Sequence, residues 1–305
     1  MKNFSKPALT VVIPTFNNLN VLKRCLDSWQ QFEQGQAIEI LVIEDGCRDG
    51  TQEYLTNLAE SDWGRRCFRW YHEDDVHELK CTNRGFSESR APLILVWQDD
   101  MFLQAPWFVR ELISNFDRHN EIGLLSLTRG LNCFPLDEPI SEWEDLLDWR
   151  RLQSTIGTGS LNWFRLQEVD AVIRPWVVRR ACLDKVGMLD EAFRPTEWDE
   201  ADLCFRIRKA GWKIATHGYE RVGAYKHLGS STLNQTFSPE YKQRVLRNGQ
   251  LFHKRWDDEI GLSHSRFRRT WWRQSDLKGR LWTLQQMLRL SDKTAYRLET
   301  SEQNT

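Results

Sequence analysis

The chain has 305 residues, and its 42 lysines and arginines against 43 aspartates and glutamates leave a net charge of −1. With 40% hydrophobic and 28% charged residues it has an ordinary globular composition and enough length for one large domain plus an extension. A near-neutral balance argues against general nucleic-acid binding, which needs a basic excess to release phosphate counterions.

Leu9-Thr10-Val11-Val12-Ile13-Pro14 is a β-branched run closed by proline and predicts a buried first strand. Thr15-Phe16-Asn17-Asn18 is the following turn, where Asn18 or Asn20 can cap a helix carrying Val21, Leu22, Cys25, Leu26 and Trp29 at helical spacing. Ile38 to Ile43 predicts a second strand ending in Glu44-Asp45-Gly46. Asp49-Gly50-Thr51 opens a helix with Tyr54, Leu55 and Leu58 on one face. Phe68 to Tyr71 and Leu93 to Trp97 predict a third and a fourth strand, the latter ending in Gln98-Asp99-Asp100. Strands alternating with helices imply a doubly wound, mostly parallel sheet, whose ligands sit beyond the carboxyl ends of the strands. Three of those ends are polar here.

Further on, residues 141–165 read as helix and loop with Trp143, Trp149 and Trp163, and Val169 to Val178 as strand. Arg180 to Val186 and Asp199 to Ala210 read as helices, the second closed by Gly211 at C′. From about 234 the pattern turns to long, basic helical segments.

Seven scattered cysteines without a C-x-x-C pair argue against a disulfide framework or zinc cluster and fit a reducing cytoplasm. The first apolar run, about six residues, is too short for a signal peptide, and no stretch approaches the roughly 20 apolar residues of a membrane span. Fifteen tryptophans are many. They suit either a ring-rich core or stacking on sugar faces and membrane interfaces.

Adjacent Asp99 and Asp100 at a strand end repel each other unless a cation joins them, and oxygen ligands suit Mg2+ or Mn2+; a solvated turn is the plainer reading of the pair alone. Glu197, Asp199, Glu200 and Asp202 crowd one helix start. Dipole capping explains one or two of them, which leaves room for a general base. His227, between a strand and a flexible turn, gains weight only beside Asp100.

These segments resemble a known family. L-T-V-V-I-P-T-F-N-N (Leu9–Asn18), V-I-E-D-G-C-R-D-G-T (Val42–Thr51), N-R-G-F (Asn83–Phe86), W-Q-D-D (Trp97–Asp100), V-G-M-L-D-E-A-F (Val186–Phe193), the W-D-E-A-D segment from Trp198 and K-H-L-G-S-S from Lys226 stand in the order found in family 2 glycosyltransferases of the GT-A fold. The rhamnosyltransferase-like bacterial members are the most similar, and the resemblance spans residues 9 to about 232. It implies a GT-A domain over 1–233, with a nucleotide-binding half to about 130 and an acceptor half to 233, followed by a basic helical extension over 234–305.

The resemblance further implies an inverting, metal-dependent transfer from a UDP-, dTDP- or GDP-sugar to a glycan, lipid-linked or protein acceptor, in cell-surface polysaccharide synthesis. Thr15, Phe16, Asn17, Glu44 and Asp45 would form the nucleobase and ribose pocket, Arg84 would contact phosphate, and Asp99 ribose or a metal-bound water. Asp100 and His227 would hold Mn2+ or Mg2+, and Asp199 or Glu200 would be the base. Two departures stand out. Gln98 replaces an acid of the metal motif, and Asp199-Glu200 inverts the family's E-D pair. Both suit a second reading as a catalytically inactive glycan-binding or scaffold module. Arg174-Pro175 also stands where small residues are expected. Residues 240–305 carry about six more basic than acidic side chains. The Arg- and Trp-rich run from Arg266 to Arg273, with Lys278 and Arg280, suits either an anionic membrane surface or a helix packed on the domain.

Overall fold

The computed structural model describes residues 6–32, 37–133, 152–154, 165–229, 238–262 and 270–272. Its first half alternates β1 (Leu9–Thr15), α1 (Leu19–Phe32), β2 (Ile38–Asp45), α2 (Thr51–Glu60), α3 (Gly64–Cys67), β3 (Phe68–Glu73), α4 (Glu78–Glu88) and β4 (Leu93–Val96). Then come β5 (Met101–Leu103), α5 (Phe108–Arg118), β6 (Ile122–Ser126), β7 (Gly130–Cys133), β8 (Leu152–Ser154), β9 (Arg165–Glu168), β10 (Ala171–Val172) and β11 (Trp176–Arg179). The chain continues through α6 (Arg180–Val186), α7 (Asp199–Lys209), β12 (Lys213–Thr216), β13 (Tyr225–His227), α8 (Pro239–Leu262) and β14 (Thr270–Trp272).

Nine strands form one sheet in the order β14-β9-β12-β6-β11-β4-β1-β2-β3. Strands β3, β2, β1 and β4 run parallel, as do β12 and β6, whereas β11 lies antiparallel between β4 and β6. The expected doubly wound, mostly parallel sheet is therefore present. All eight residues of β2 are buried, as in a strand covered on both faces. Alternation sends Val11 and Ile13 into one apolar cluster and Val12 into the other. The first cluster holds Trp29 and Trp97 edge to face at 5.3 Å, with Tyr225 5.0 Å from Trp97. Trp63, Trp107, Trp176 and Trp256 are buried as well, so the described tryptophans largely build core.

Helix α1 is capped from outside its own turn. Leu19 N–H donates to Asp49 Oδ2 at 2.8 Å, while Asn18 contributes only its backbone carbonyl. Gly211 ends α7 at φ +102°, the left-handed position expected of it. The Val169–Val178 segment is two strands, separated around Arg174-Pro175.

The basic extension is helical over α8, which buries Phe252, Trp256 and Ile260 against the second cluster. It also reaches the loop before α7. Asn248, fully buried, donates from Nδ2 to the carbonyls of Phe193, Thr196 and Glu197 at 2.8, 2.9 and 3.1 Å. Thr270–Trp272, inside the Arg- and Trp-rich run read as helix, is instead an edge strand paired with β9. There, β-branched and aromatic residues find backbone partners. The remainder of that run, and residues 141–151 and 155–164, lie outside the described residues. Among the described residues, no helix is long and apolar enough to cross a membrane.

Candidate active site

Because β1, β2 and β4 are parallel, Thr15, Glu44-Asp45 and Gln98-Asp99-Asp100 emerge at the same sheet end. A cavity of about 440 Å³ opens there, lined by Thr15, Phe16, Asn17, Asp45, Asp99 and Asp100 among others. Thr15 Oγ1 donates to Asp99 Oδ2 at 2.7 Å, joining the ends of β1 and β4. Burial raises the Asp99 carboxyl to about 6, against hydrogen bonds from Thr15 and Asn18 that lower it. Asn17, at φ +47°, accepts from Arg48 N–H at its Oδ1 (2.7 Å). Phe16 is 51% exposed at the rim, so its ring face is open to a flat ligand.

His227 arrives by the pairing of β13 with β5, which sets it opposite Met101 and next to Asp100. Its Nε2 lies 3.3 Å from Asp100 Oδ1. Burial works to lower the His227 pKa, but the hydrogen bond and charge of Asp100 outweigh it and raise the value above 6.5. Asp100 is 3% exposed. A buried carboxylate touching an imidazole beside a second, desolvated acid is a donor set that fits a divalent cation. Among the described residues, the one group of three potential ligand side chains is a different one, Asp45, Asp75 and His77. Both Asp45 oxygens already accept backbone N–H groups, from Val76 at 2.7 Å and His77 at 2.9 Å, so Asp45 shapes that loop while lining the cavity.

Two expected site residues stand elsewhere. Glu44 is fully buried, and its carboxylate accepts from Cys47 N–H and from Gln52 Nε2 at 3.0 Å and meets His72 Nδ1 at 2.6 Å. It braces the wall from behind and is not among the cavity-lining residues. Arg84 points away, paired with Glu73 at 3.5 Å and Glu88 at 3.3 Å, its guanidinium over the Tyr71 ring at 4.9 Å. The N-R-G-F segment serves packing instead. Asn83 exchanges two hydrogen bonds with the Leu189 backbone, and Gly85 sits where a Cβ would lie 2.1 Å from Val12 Cγ1.

Asp199 and Glu200 begin α7, after two non-glycine residues in the left-handed region, Glu197 (φ +82°) and Trp198 (φ +67°). Asp199 is fully buried, and neither acid is among the cavity-lining residues. What ties them to the cavity is Arg174, which the sequence left without a role. Its Nη2 donates to Asp199 Oδ2 at 3.0 Å, Nη1 lies 2.8 Å from Glu200 Oε1, and Nε lies 3.3 Å from Glu78 Oε1. Glu78 itself lines the cavity. Burial opposes the charge of Arg174, but Glu200, Glu78 and Asp199 together raise its pKa further. Burial is the largest effect on Glu200 too, lifting it well above the usual carboxylate range against the pull of Arg174. Asp202 is committed elsewhere, to Arg206 (2.7 Å), Arg255 (3.2 Å) and Trp256 Nε1 (2.9 Å).

The architecture has solved relatives. It is similar to S. aureus TarS in complex with UDP-GlcNAc, with a TM-score of 0.54 and 13% identity over 83% of this chain and 70% of that one. It is also similar to GalNAc-T7 with UDP, GalNAc and Mn2+, with a TM-score of 0.62 and 13% identity over 83% and 50%. At that identity the likeness is one of fold, the GT-A arrangement. Among curated proteins, y4gI of Sinorhizobium fredii is 24% identical over 263 residues, which is 82% of this chain and 28% of that protein. Glycosyltransferase AglD of Haloferax volcanii is 29% identical over 98 residues, or 30% of this chain and 15% of the relative. The aligned stretch spans under a third of either relative's length. The model for glycosyl transferase family 2 matches residues 10–170, more than half of the sequence, and the chain belongs to that family.

Proposed function

We propose that the protein is a metal-dependent, inverting glycosyltransferase that moves a sugar from a nucleoside diphosphate to a hydroxyl of a glycan, lipid-linked or protein acceptor. The observation that carries this reading is the cluster at one sheet end. Thr15 holds Asp99 and Asp100 meets His227, while Glu78 and Arg174 link the same cavity to Asp199 and Glu200. The ligands named for the two structural neighbours, UDP-GlcNAc in one and UDP, GalNAc and Mn2+ in the other, support a nucleotide-sugar donor. They put UDP first among UDP, dTDP and GDP.

Asp100 and His227 would hold the ion. The carboxylate suits Mg2+ or Mn2+, and the imidazole tilts the choice to Mn2+. When bound, such an ion supplies Lewis-acid stabilisation of the departing diphosphate. Phe16 would stack on the nucleobase, with Asn17 and Asp45 beside it. Asp199 or Glu200 would take the proton of the acceptor hydroxyl as it attacks the anomeric carbon from the face opposite the diphosphate, which gives inversion. Cell-surface polysaccharide synthesis on the cytoplasmic side fits these substrates, and the Arg- and Trp-rich run is suited to an anionic membrane surface.

Titration calorimetry with UDP and Mn2+ tests the core of this reading. Wild type should bind in a metal-dependent way, and Asp100→Ala should lose both that binding and cleavage of a panel of UDP-, dTDP- and GDP-sugars. Full activity in Asp100→Ala would discard the metal assignment. A product of retained anomeric configuration would discard the displacement.

A further inference from the structure

Arg174 is only 10% exposed and touches three carboxylates drawn from two helix starts, Glu78 of α4 and Asp199 and Glu200 of α7. Its place follows from the sheet. Strand β11 runs antiparallel to β4 with Trp176 opposite Val96, so the residues just before β11 emerge beside the Asp99-Asp100 turn. Three acids this close repel one another, and a guanidinium has the forked donors to engage several at once. Asp199 Oδ2 is held by Arg174, and the Asp199 and Glu200 carboxyls hydrogen-bond each other. Two carboxyls in contact beside one guanidinium hold and release protons as a unit.

We propose that Arg174 is the positioning residue of the proton-accepting pair, holding Asp199 and Glu200 side by side and tying them to the donor cavity through Glu78. This rests on the glycosyltransferase reading and deepens it by naming the residue that sets the pair. The step balances simply. The acceptor O–H proton passes to the Asp199–Glu200 pair, the acceptor oxygen bonds the anomeric carbon, and the bond to the diphosphate oxygen breaks with its electron pair. Other titratable groups facing the pair are Glu197 before α7, Cys204 one turn along it, and Tyr241 of α8 bonded to Glu197.

The test uses the full chain with Mn2+ and whichever sugar nucleotide of the UDP-, dTDP- and GDP-linked panel wild type cleaves. Arg174→Lys and Arg174→Met, checked by circular dichroism, are compared with Asp199→Asn and Glu200→Gln. Loss of the guanidinium removes the cation that favours the ionised pair, so the acid limb of the kcat profile should move to higher pH by at least about one unit. Arg174→Met should lower kcat at least about tenfold at pH 7, with nucleotide affinity by calorimetry kept within about threefold. Arg174→Lys should restore part of kcat, and Asp199→Asn and Glu200→Gln should each lower kcat at least about tenfold. If Arg174→Met fails to fold, the Lys variant carries the same profile shift in smaller measure, because an ammonium lacks the fork that engages all three acids. An unmoved acid limb in the folded variants, whatever happens to kcat, overturns the proposal, as does undiminished kcat in both Asp199→Asn and Glu200→Gln. Wild type that binds no nucleotide and cleaves no donor would instead bring down the reading beneath it.

Discussion

Replacing Asn248 by alanine should weaken both the fold and the proposed base, although this residue lies on the C-terminal helix and outside the donor cavity. Its amide has two N–H protons spread over three carbonyls, those of Phe193, Thr196 and Glu197. At about 1 kcal/mol net per bond, plus the cost of carbonyls left buried and unpaired, the loss comes to roughly 2–4 kcal/mol. The segment it clamps runs directly into Glu197 and Trp198, whose left-handed backbone costs about 1–3 kcal/mol per residue and persists only where surroundings over-determine it. The two sums are comparable, so removal of the clamp should let the segment relax and shift Asp199. Thermal melting should fall by about 5–10 °C for a domain of this size. Donor cleavage at a temperature where the variant is fully folded should drop about tenfold, since a small misplacement of a catalytic group is expensive. A melting point within about 1 °C of wild type, together with unaltered cleavage, would refute the reasoning.

Other perturbations probe separate links. Gly85→Ala should destabilise by about 1–3 kcal/mol through its clash with Val12; a Val12→Ala, Gly85→Ala double variant should recover about 1 kcal/mol relative to additivity in urea unfolding, and strict additivity would exclude that contact as the cause. Phe16→Ala should weaken UDP binding by up to about tenfold, the worth of one aromatic stack, without moving the melting point; unchanged affinity would take Phe16 out of the nucleotide site. His72 is raised above 6.5 by its hydrogen bond to Glu44 and then by Asp74. Its stabilising effect is therefore fully present below 6.5 and lost as pH rises through the shifted value. The urea midpoint of wild type should decline over that interval relative to His72→Asn, and parallel curves for the two proteins would rule it out.

The first half of the fold was legible because its apolar runs are long and its turns polar, so period and punctuation agree over β1, β2 and β4. The Thr15, Asp99 and Asp100 cluster followed from parallel strands alone, and His227 from its place in the motif series. Orientation within a strand end was not legible. With every residue of β2 buried, nothing in the pattern shows that Glu44 turns inward to Gln52 and His72 while Asp45 reaches the cavity wall. Arg84 had two acids and a ring within reach on its own helix and the adjacent strand, and local pairing claimed it. Arg174 and Asn248 escaped notice for the opposite reason. Their partners lie about 25 to 100 residues away in the chain, and a lone arginine before proline or an asparagine inside a helix carries no local signature. The anomaly of Arg174-Pro175, a large cation where small residues were expected, was the signal available.

Strand β11 has one more implication. It is stitched by hydrogen bonds to β4 on one side and β6 on the other, so the two parallel portions of the sheet share a seam with no hinge in it. Any clamping down on a donor has to be done by segments riding above the strands, because the platform beneath them cannot fold shut like a book. The spacing between the strand end that carries Asp99-Asp100 and the start of β11 beside Arg174 is thus set in the backbone, as fixed as the distance between two rungs of a ladder.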